Sequence, residues 1–460
     1  MTTTAPAAPD RTSEPTMARQ EAPGSTRVLV LSTLSFTLMF GVWLMFGVLG
    51  IPIQAEFGLS DSQLAWIVAV AILNGSLWRL LLGVLTDRIG GRVITITMLL
   101  VTAVPTFLVS QLDLTYGLLL LLAFLIGFAG NLFSVGIAWN AAWFTRAHQG
   151  FALGIFGAGN VGASLTKFFG PVLITATAGS VYLGGRIDGG WRLIPVIYSV
   201  ALVGMAIIVW ALAPRNDRKP GQSRPLGEMF RPLRDVRVWR FSLYYVAVFG
   251  AYVALAAWLP HYYVNVYGLE LQAAALLTAL FIFPASLLRP LGGWMSDRYG
   301  ARRLMYFTFG LMLTALLFLA APFGYIVLET AEGSREVMPY SLGVVPFTAL
   351  IFLVGVAMGI GKAAVYKLIP EYFPEDVGAV GGLVGMLGAL GGFFLPPLFV
   401  AATSWVGIPQ ATFMVLFVLT AFCAIWMHLT VMQMLHRASP ELSRNLEQKS
   451  PASSSVTSGV

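Results

Sequence analysis

About a dozen stretches of ~20 apolar residues follow one another along this chain, each long enough to cross the hydrocarbon core of a bilayer as a helix. Their approximate limits are 28–50, 62–86, 93–110, 115–143, 150–176, 191–213, 240–263, 271–295, 303–325, 341–368, 378–402 and 408–434. A soluble core cannot absorb that much: 57% of the residues are hydrophobic and only 11% are charged, and the mean hydropathy is +0.78. Backbone groups in lipid must be satisfied within their own segment, so runs of this length fold as helices. The expected class is an all-α membrane protein.

The net charge of +7 does not imply nucleic acid, because the basic residues fall in alternate loops. Arg88, Arg92, Arg146, Arg298, Arg302 and Arg303 lie on one side, with Arg11, Arg19 and Arg27 before the first run and Arg437 and Arg444 after the last. The stretch from Pro214 to Arg240 adds eight more. The opposite loops hold little beyond Arg186, Arg192 and Arg335. By the positive-inside rule both termini and the central loop are cytoplasmic, in a multi-pass protein of the cytoplasmic (inner) membrane. The single cysteine, Cys423, and four scattered histidines offer neither a disulfide nor a metal site.

Arg79 lies within an otherwise uncharged run from Ser62 to Thr86. A guanidinium at that depth costs at least ~2.5–3.5 kcal/mol and needs a reason to be there. The stretch NGSLWRLLLGVLTDRIGGR (Asn74 to Arg92) is echoed by FPASLLRPLGGWMSDRYGARR (Phe283 to Arg303). Gly75, Arg79, Gly83 and Asp87 match Ala285, Arg289, Gly293 and Asp297 at one spacing. Two halves therefore each push one arginine toward a common pathway. The charged residues deep within spans are Arg79, Lys167, Arg289 and Lys362, and none of the 21 Asp and Glu residues is near mid-span. A cation pathway would show the reverse, so the substrate is read as an anion. Arginine cannot lose its proton, and its planar fork suits an oxyanion. The competing reading is that each arginine caps helix carbonyls.

Glycine blocks also come in a pair. GFALGIFGAGNVGASLTKFFGP (Gly150 to Pro171) contains Gly154, Gly157, Gly159 and Gly162; VGAVGGLVGMLGALGGFFLPP (Val377 to Pro397) contains Gly385 and Gly388. A face without side chains lets a neighbouring backbone approach closely. Asn131 and Asn140 sit in GFAGNLFSVGIAWNAAWF, either bonded to neighbouring helices or lining the pathway. The aromatic residues Phe36, Phe40, Trp43 and Phe46 read as packing.

The D-R-x-G-x-R loops at Asp87 and Asp297, the two glycine blocks and the paired arginines together resemble the NarK-type nitrate/nitrite porters of the major facilitator superfamily. The run GKAAVYK around Lys362 is most similar to the nitrate–proton symporter branch. The resemblance implies 12 transmembrane helices in two pseudo-symmetric six-helix bundles at 27–213 and 240–436. A cytoplasmic tail (1–26), a basic linker (214–239) and a second tail (437–460) complete the chain, with both tails read as disordered. It implies nitrate, and nitrite as a second substrate, gripped by Arg79 and Arg289. Asn160 supplies an amide; Phe133, Tyr245 and Phe249 supply the aromatic surfaces. Gly157, Gly159, Gly162, Gly385 and Gly388 are its signature glycines. Moving an anion into a cell that is negative inside costs ~2.3 kcal/mol per 100 mV, so import needs coupling. With no carboxylate at mid-span, Lys167 and Lys362 are the candidates for carrying a proton, although Lys362 could instead reach toward the cytoplasmic edge. Nitrate/nitrite exchange, transport of a monocarboxylate, and a non-transporting anion receptor are the alternatives. No enzyme activity, cofactor, metal or nucleic-acid partner is expected, and a monomer in the lipid bilayer suffices.

Overall fold

The computed structural model describes residues 23–219, 230–330, 333–373 and 377–438. Most of both expected tails and the middle of the linker therefore lie outside the described residues. Ten helical rods are long and apolar enough to cross a membrane: Ser25–Phe57, Asp61–Ile89, Gly91–Gln111, Tyr116–Trp143, Gly190–Leu212, Val236–Tyr267, Ala301–Ala320, Val344–Tyr372, Ala379–Val406 and Ala411–His436. An eleventh is the pair Leu271–Leu287 and Arg289–Tyr299, bent by 41°. The twelfth runs without interruption through Arg146–Ala158, Gly159–Ser164 and Leu165–Ala176. Numbered along the chain, these are the first to twelfth spans.

The two D-R-x-G loops fold alike. Gly90 (φ 108°) ends the second span and Gly300 (φ 88°) ends the eighth, each in a backbone region open to glycine and strained for other residues. The linker, basic by composition, is anchored by an acid. Asp217 accepts hydrogen bonds from the indole nitrogens of Trp139 and Trp143, both at 3.0 Å, and from the Arg92 backbone at 2.8 Å. That ties the start of the linker to the third and fourth spans.

Several boundaries differ from expectation by a few residues, the first span running on to Phe57, and two of the differences have an evident cause. The seventh span begins at Val236 rather than 240, because Asp235 caps it by accepting from the Arg237 backbone at 2.8 Å. The ninth ends at Ala320, not 325, and Gly324–Thr330 pairs with Gly333–Tyr340 as an antiparallel hairpin. The sequence YIVLET after Pro322 favours strand over helix, and pairing satisfies the backbone without a further helical turn.

Three contacts define the seam between the bundles: second span on eleventh, fifth on eighth, first on seventh. At the end away from the linker, hereafter the far end, the seam is shut. Gly47 lies so near Ala257 that an added Cβ would stand 2.7 Å from its Cα. His261 Nε2 meets Asp61 Oδ1 at 3.0 Å across the bundles, and every residue from Ala247 to Tyr263 is buried. Toward the linker end, Gly382 still touches Leu80 and Gly154 still touches Pro290, but Gly83 and Gly293 face open space.

Within the first bundle the fifth span is pressed onto the first. A Cβ on Gly162 would lie 1.8 Å from the Thr37 carbonyl oxygen, a backbone atom with nowhere to go. Gly162→Ala is expected to destabilise the protein by at least ~1–3 kcal/mol. Gly293→Ala, which adds a methyl into free space, is expected to leave stability unchanged. Thermal unfolding in detergent measures both.

Candidate anion-binding site

Both arginines are placed by a break in their helix. Asp61–Leu77 and Arg79–Ile89 meet at Trp78 (φ −90°, ψ 1°). Leu271–Leu287 and Arg289–Tyr299 meet at Leu288 (φ −82°, ψ 1°). In the eighth span the cause is Pro290, which has no N–H to give the Ser286 carbonyl. In the second span the Gly75 carbonyl accepts instead from Arg79 Nε at 3.0 Å. The equivalent bends turn both guanidiniums into the seam, where Arg79 is 1% and Arg289 8% exposed.

A single ring lies against both. Phe133 has the Arg79 Cζ 5.3 Å and the Arg289 Cζ 5.2 Å from its centroid. Phe249 sits 5.3 Å from Arg79 and stacks on Tyr245 at 4.9 Å. Tyr245 immediately precedes a π-helical turn, Val246–Gly250, and Phe249 lies within it; such a departure from the α-helix is often found at functional sites. The expected set of Arg79, Arg289, Phe133, Tyr245 and Phe249 is thus brought together from the second, eighth, fourth and seventh spans.

The hydrogen bonding of the two arginines is unequal. Arg79 donates to the carbonyls of Gly75 (3.0 Å), Gly130 (3.3 Å) and Gly385 (3.3 Å), so the carbonyl-capping reading describes part of its role. It leaves two of its five N–H donors directed elsewhere. Arg289 Nη1 is buried with no partner among the described residues. Neither guanidinium is matched by a carboxylate among them. Asn160 lies in the fifth span, and both polar atoms of its side chain are buried and unpartnered, as is the Tyr245 hydroxyl. The Asn160 backbone carbonyl accepts from the Tyr252 hydroxyl at 3.3 Å.

The signature glycines divide by task. Gly159 and Gly162 admit the first span, whereas a Cβ on Gly157 would sit 3.1 Å from Arg289 Cδ. Gly385 and Gly388 make room for Tyr366 and Tyr245. Lys362 does not reach for the membrane edge. It is fully buried, donates to the Ala285 carbonyl at 2.9 Å and stands 3.2 Å over the Tyr252 ring. Lys167, also fully buried, has no hydrogen-bond partner for its Nζ among the described residues. Asn131 and Asn140 are structural: their amides bond to the Asn74 carbonyl (2.7 Å) and to Ser32 Oγ (2.8 Å).

Three residues of the site were not singled out in advance. Tyr366 lies 5.6 Å from the Arg289 Cζ and T-stacks on Tyr245. Its position four residues after Lys362 in GKAAVYK put it on the same helix face. Trp43, expected to be packing, has Arg79 5.6 Å from its ring and donates to the Ala71 carbonyl at 3.0 Å. Tyr252 bonds to Ser286 Oγ at 3.0 Å beneath Lys362.

Comparison with known proteins identifies the family of the chain. The Major Facilitator Superfamily model matches residues 31–329 and 271–458. The chain is 64% identical over 436 residues to the probable nitrate/nitrite antiporter NarK1 of Thermus thermophilus, covering 95% of this chain and 98% of that one. It is 31% identical to the nitrite extrusion protein of Bacillus subtilis strain 168, covering 81% of this chain and 86% of that one. A probable nitrate transporter NarT of Staphylococcus epidermidis is 30% identical, with 89% and 95% covered. In fold, the chain resembles a bacterial homologue of the human lysosomal transporter Spinster, with a TM-score of 0.67 at 16% identity over 90% of this chain and 98% of that one. An integral membrane transporter rather than an enzyme, this chain belongs to the NarK-type nitrate/nitrite porter family of the major facilitator superfamily.

Proposed function

We propose that this protein imports nitrate, and nitrite as a second substrate, across the cytoplasmic membrane by alternating access, coupled to proton symport. One observation carries the substrate: two buried guanidiniums from opposite bundles share the Phe133 ring, with no carboxylate beside either. Nitrate is flat and singly charged. In-plane donors from Arg79, Arg289 and Asn160, with Phe133 and Phe249 over its faces, match that shape. An anion in this low-dielectric seam offsets two charges that are otherwise costly to bury. The names of the three relatives support the same substrates.

The orientation follows the basic loops. The tails, the linker at 214–239 and the linker end of both bundles (27–213 and 240–436) are cytoplasmic, so the shut far end faces outward. The site then communicates with the outside only after the bundles rock apart there. The protein acts as a monomer, each chain holding both arginines.

For coupling, Lys362 is favoured over Lys167. Its ammonium lies against the Phe249 and Tyr252 rings at 5.6 and 3.2 Å, within the aromatic lining of the site. A charge there is best tolerated beside an anion, so proton and anion binding are linked. Nitrate/nitrite exchange is the second reading, favoured by the description of the Thermus relative as a probable antiporter.

Proteoliposomes separate the two. Symport predicts nitrate uptake driven by an inside-alkaline gradient without internal nitrite, and Lys362→Gln should abolish that response while retaining nitrate/nitrite exchange. Uptake that requires internal nitrite and ignores the gradient would establish the antiporter instead. Arg79→Lys and Arg289→Lys keep the charge but lose the planar fork. Each should weaken nitrate binding by about 1.5–3 kcal/mol, roughly 10- to 100-fold, with near-complete loss of transport. Gly157→Ala presses a methyl onto Arg289 and should raise the nitrate KM without lowering the melting temperature as Gly162→Ala does.

A further inference from the structure

Along one face of the fifth span, polar groups step away from the arginine pair toward the far end. Gly157 touches Arg289. Beyond it come the Asn160 amide, Ser164 Oγ and Lys167 Nζ, each buried and each without a hydrogen-bond partner among the described residues. At about 120° per residue through the 3₁₀ segment Gly159–Ser164 and about 100° in the α-helix after it, the three groups fan over roughly 120° of the helix surface. Lys167 is 0% exposed and roughly 15–20 Å from Gly157 along the axis, at 1.5 Å per α-helical and 2.0 Å per 3₁₀ residue.

The neighbours of Lys167 fix its direction. Phe168 packs on Phe283 of the eighth span with centroids 5.5 Å apart. A Cβ on Gly170 would meet Val48 of the first span at 3.5 Å. At about 100° per residue, Lys167 lies between those two contacts and so points into the seam between the bundles. Thr166, about 100° around the helix on the Gly170 side, is bonded to the Tyr198 hydroxyl at 2.7 Å. The contrast with Lys362 is sharp: that ammonium has a carbonyl and a ring, whereas Lys167 has neither a carbonyl nor a carboxylate. A cation held this deep without any partner is a feature that packing alone does not require.

We propose that Lys167, with Ser164, forms a second, outer anion subsite that receives a small monovalent oxyanion when the far end opens and passes it inward, by way of the central-site Asn160, to Arg79 and Arg289. The subsite rests on the reading of the arginine pair as the central anion site. Ser164 can donate one hydrogen bond and Asn160 two, so an anion moving inward exchanges donors one helical turn at a time. Lys167 thereby acts on entry from the far side and not on affinity at the centre.

Right-side-out and inside-out membrane vesicles give access to each face in turn. Lys167→Gln and Lys167→Met should raise the KM for nitrate offered at the far side roughly tenfold, the scale of focusing by a charged cleft. The KM from the linker side, nitrate binding to the purified protein, and the response to a pH gradient should stay at wild-type values. Lys167→Arg, which keeps the charge, should restore the far-side KM. The far-side KM of the wild type should also depend more steeply on ionic strength than that of either neutral variant. Unchanged far-side KM in both neutral variants overturns the subsite, as does loss of the pH-gradient response with KM intact. Wild-type and Arg289→Lys vesicles test the central site in the same assay. No nitrate uptake by the wild type overturns the central reading and the subsite together. Normal wild-type uptake with unaltered KM in the neutral variants overturns the subsite alone.

Discussion

Two positive charges in a protein interior, with no negative charge among the described residues to meet them, constrain everything around them. Desolvating a guanidinium costs several kcal/mol even after relaxation, and here two approach one phenyl ring. The fold meets that demand with weak partners in number. Three carbonyls and three aromatic rings surround Arg79. Two rings flank Arg289. Carbonyl dipoles and ring quadrupoles stabilise a cation without cancelling its charge, so the field of both arginines remains directed at the seam.

Two of the three carbonyls on Arg79, those of Gly75 and Gly130, come from departures from regular helix. Gly75 is one turn before the break at Trp78, and Gly130 lies in the 3₁₀ segment Phe128–Asn131. Asn160 is in another 3₁₀ segment, Gly159–Ser164, and Phe249 in the π-helical turn. The first span is interrupted just after Trp43. Irregular backbone within a membrane is tolerated only where protein or a polar cavity satisfies it. With the break at Leu288 in the eighth, six spans are irregular at the residues they bring to the site, where a side chain or a polar pathway replaces the missing helical bonds.

The paired arginines, the D-R-x-G bends and the glycine blocks were legible in the sequence because each is written twice at matching spacing. Fold and substrate sign followed from that repetition and from the absence of mid-span acids. The remainder was not legible for physical reasons. The bend at Trp78 has no proline to announce it, unlike the one beside Pro290. The π-helical turn comes from an ordinary apolar run, so its shift of the aromatic face was invisible to helical spacing. Trp43 and Tyr366 resembled packing residues because an aromatic side chain in a membrane helix serves lipid, core or ligand with the same composition. The hairpin after Ala320 continued the apolar pattern of the ninth span, and only its strand-forming residues distinguished it.

The two arginines also reach across the boundary they line. Arg79, in the first bundle, donates to the Gly385 carbonyl of the eleventh span, in the second. Arg289, in the second bundle, packs its side chain on Gly157 of the fifth span, in the first. Both contacts fall on signature glycines, where the absence of a side chain exposes backbone to the partner. The Tyr252 hydroxyl makes a third crossing, to the Asn160 carbonyl. Rotation of one bundle against the other therefore cannot leave the coordination of either guanidinium unaltered. Conversely, an anion that draws both guanidiniums toward itself changes the hydrogen bonds and packing that hold the bundles together. In the proposed transport cycle, binding and rocking would thus be coupled through the same few atoms, which is the differential interaction a ligand needs to shift a two-state equilibrium.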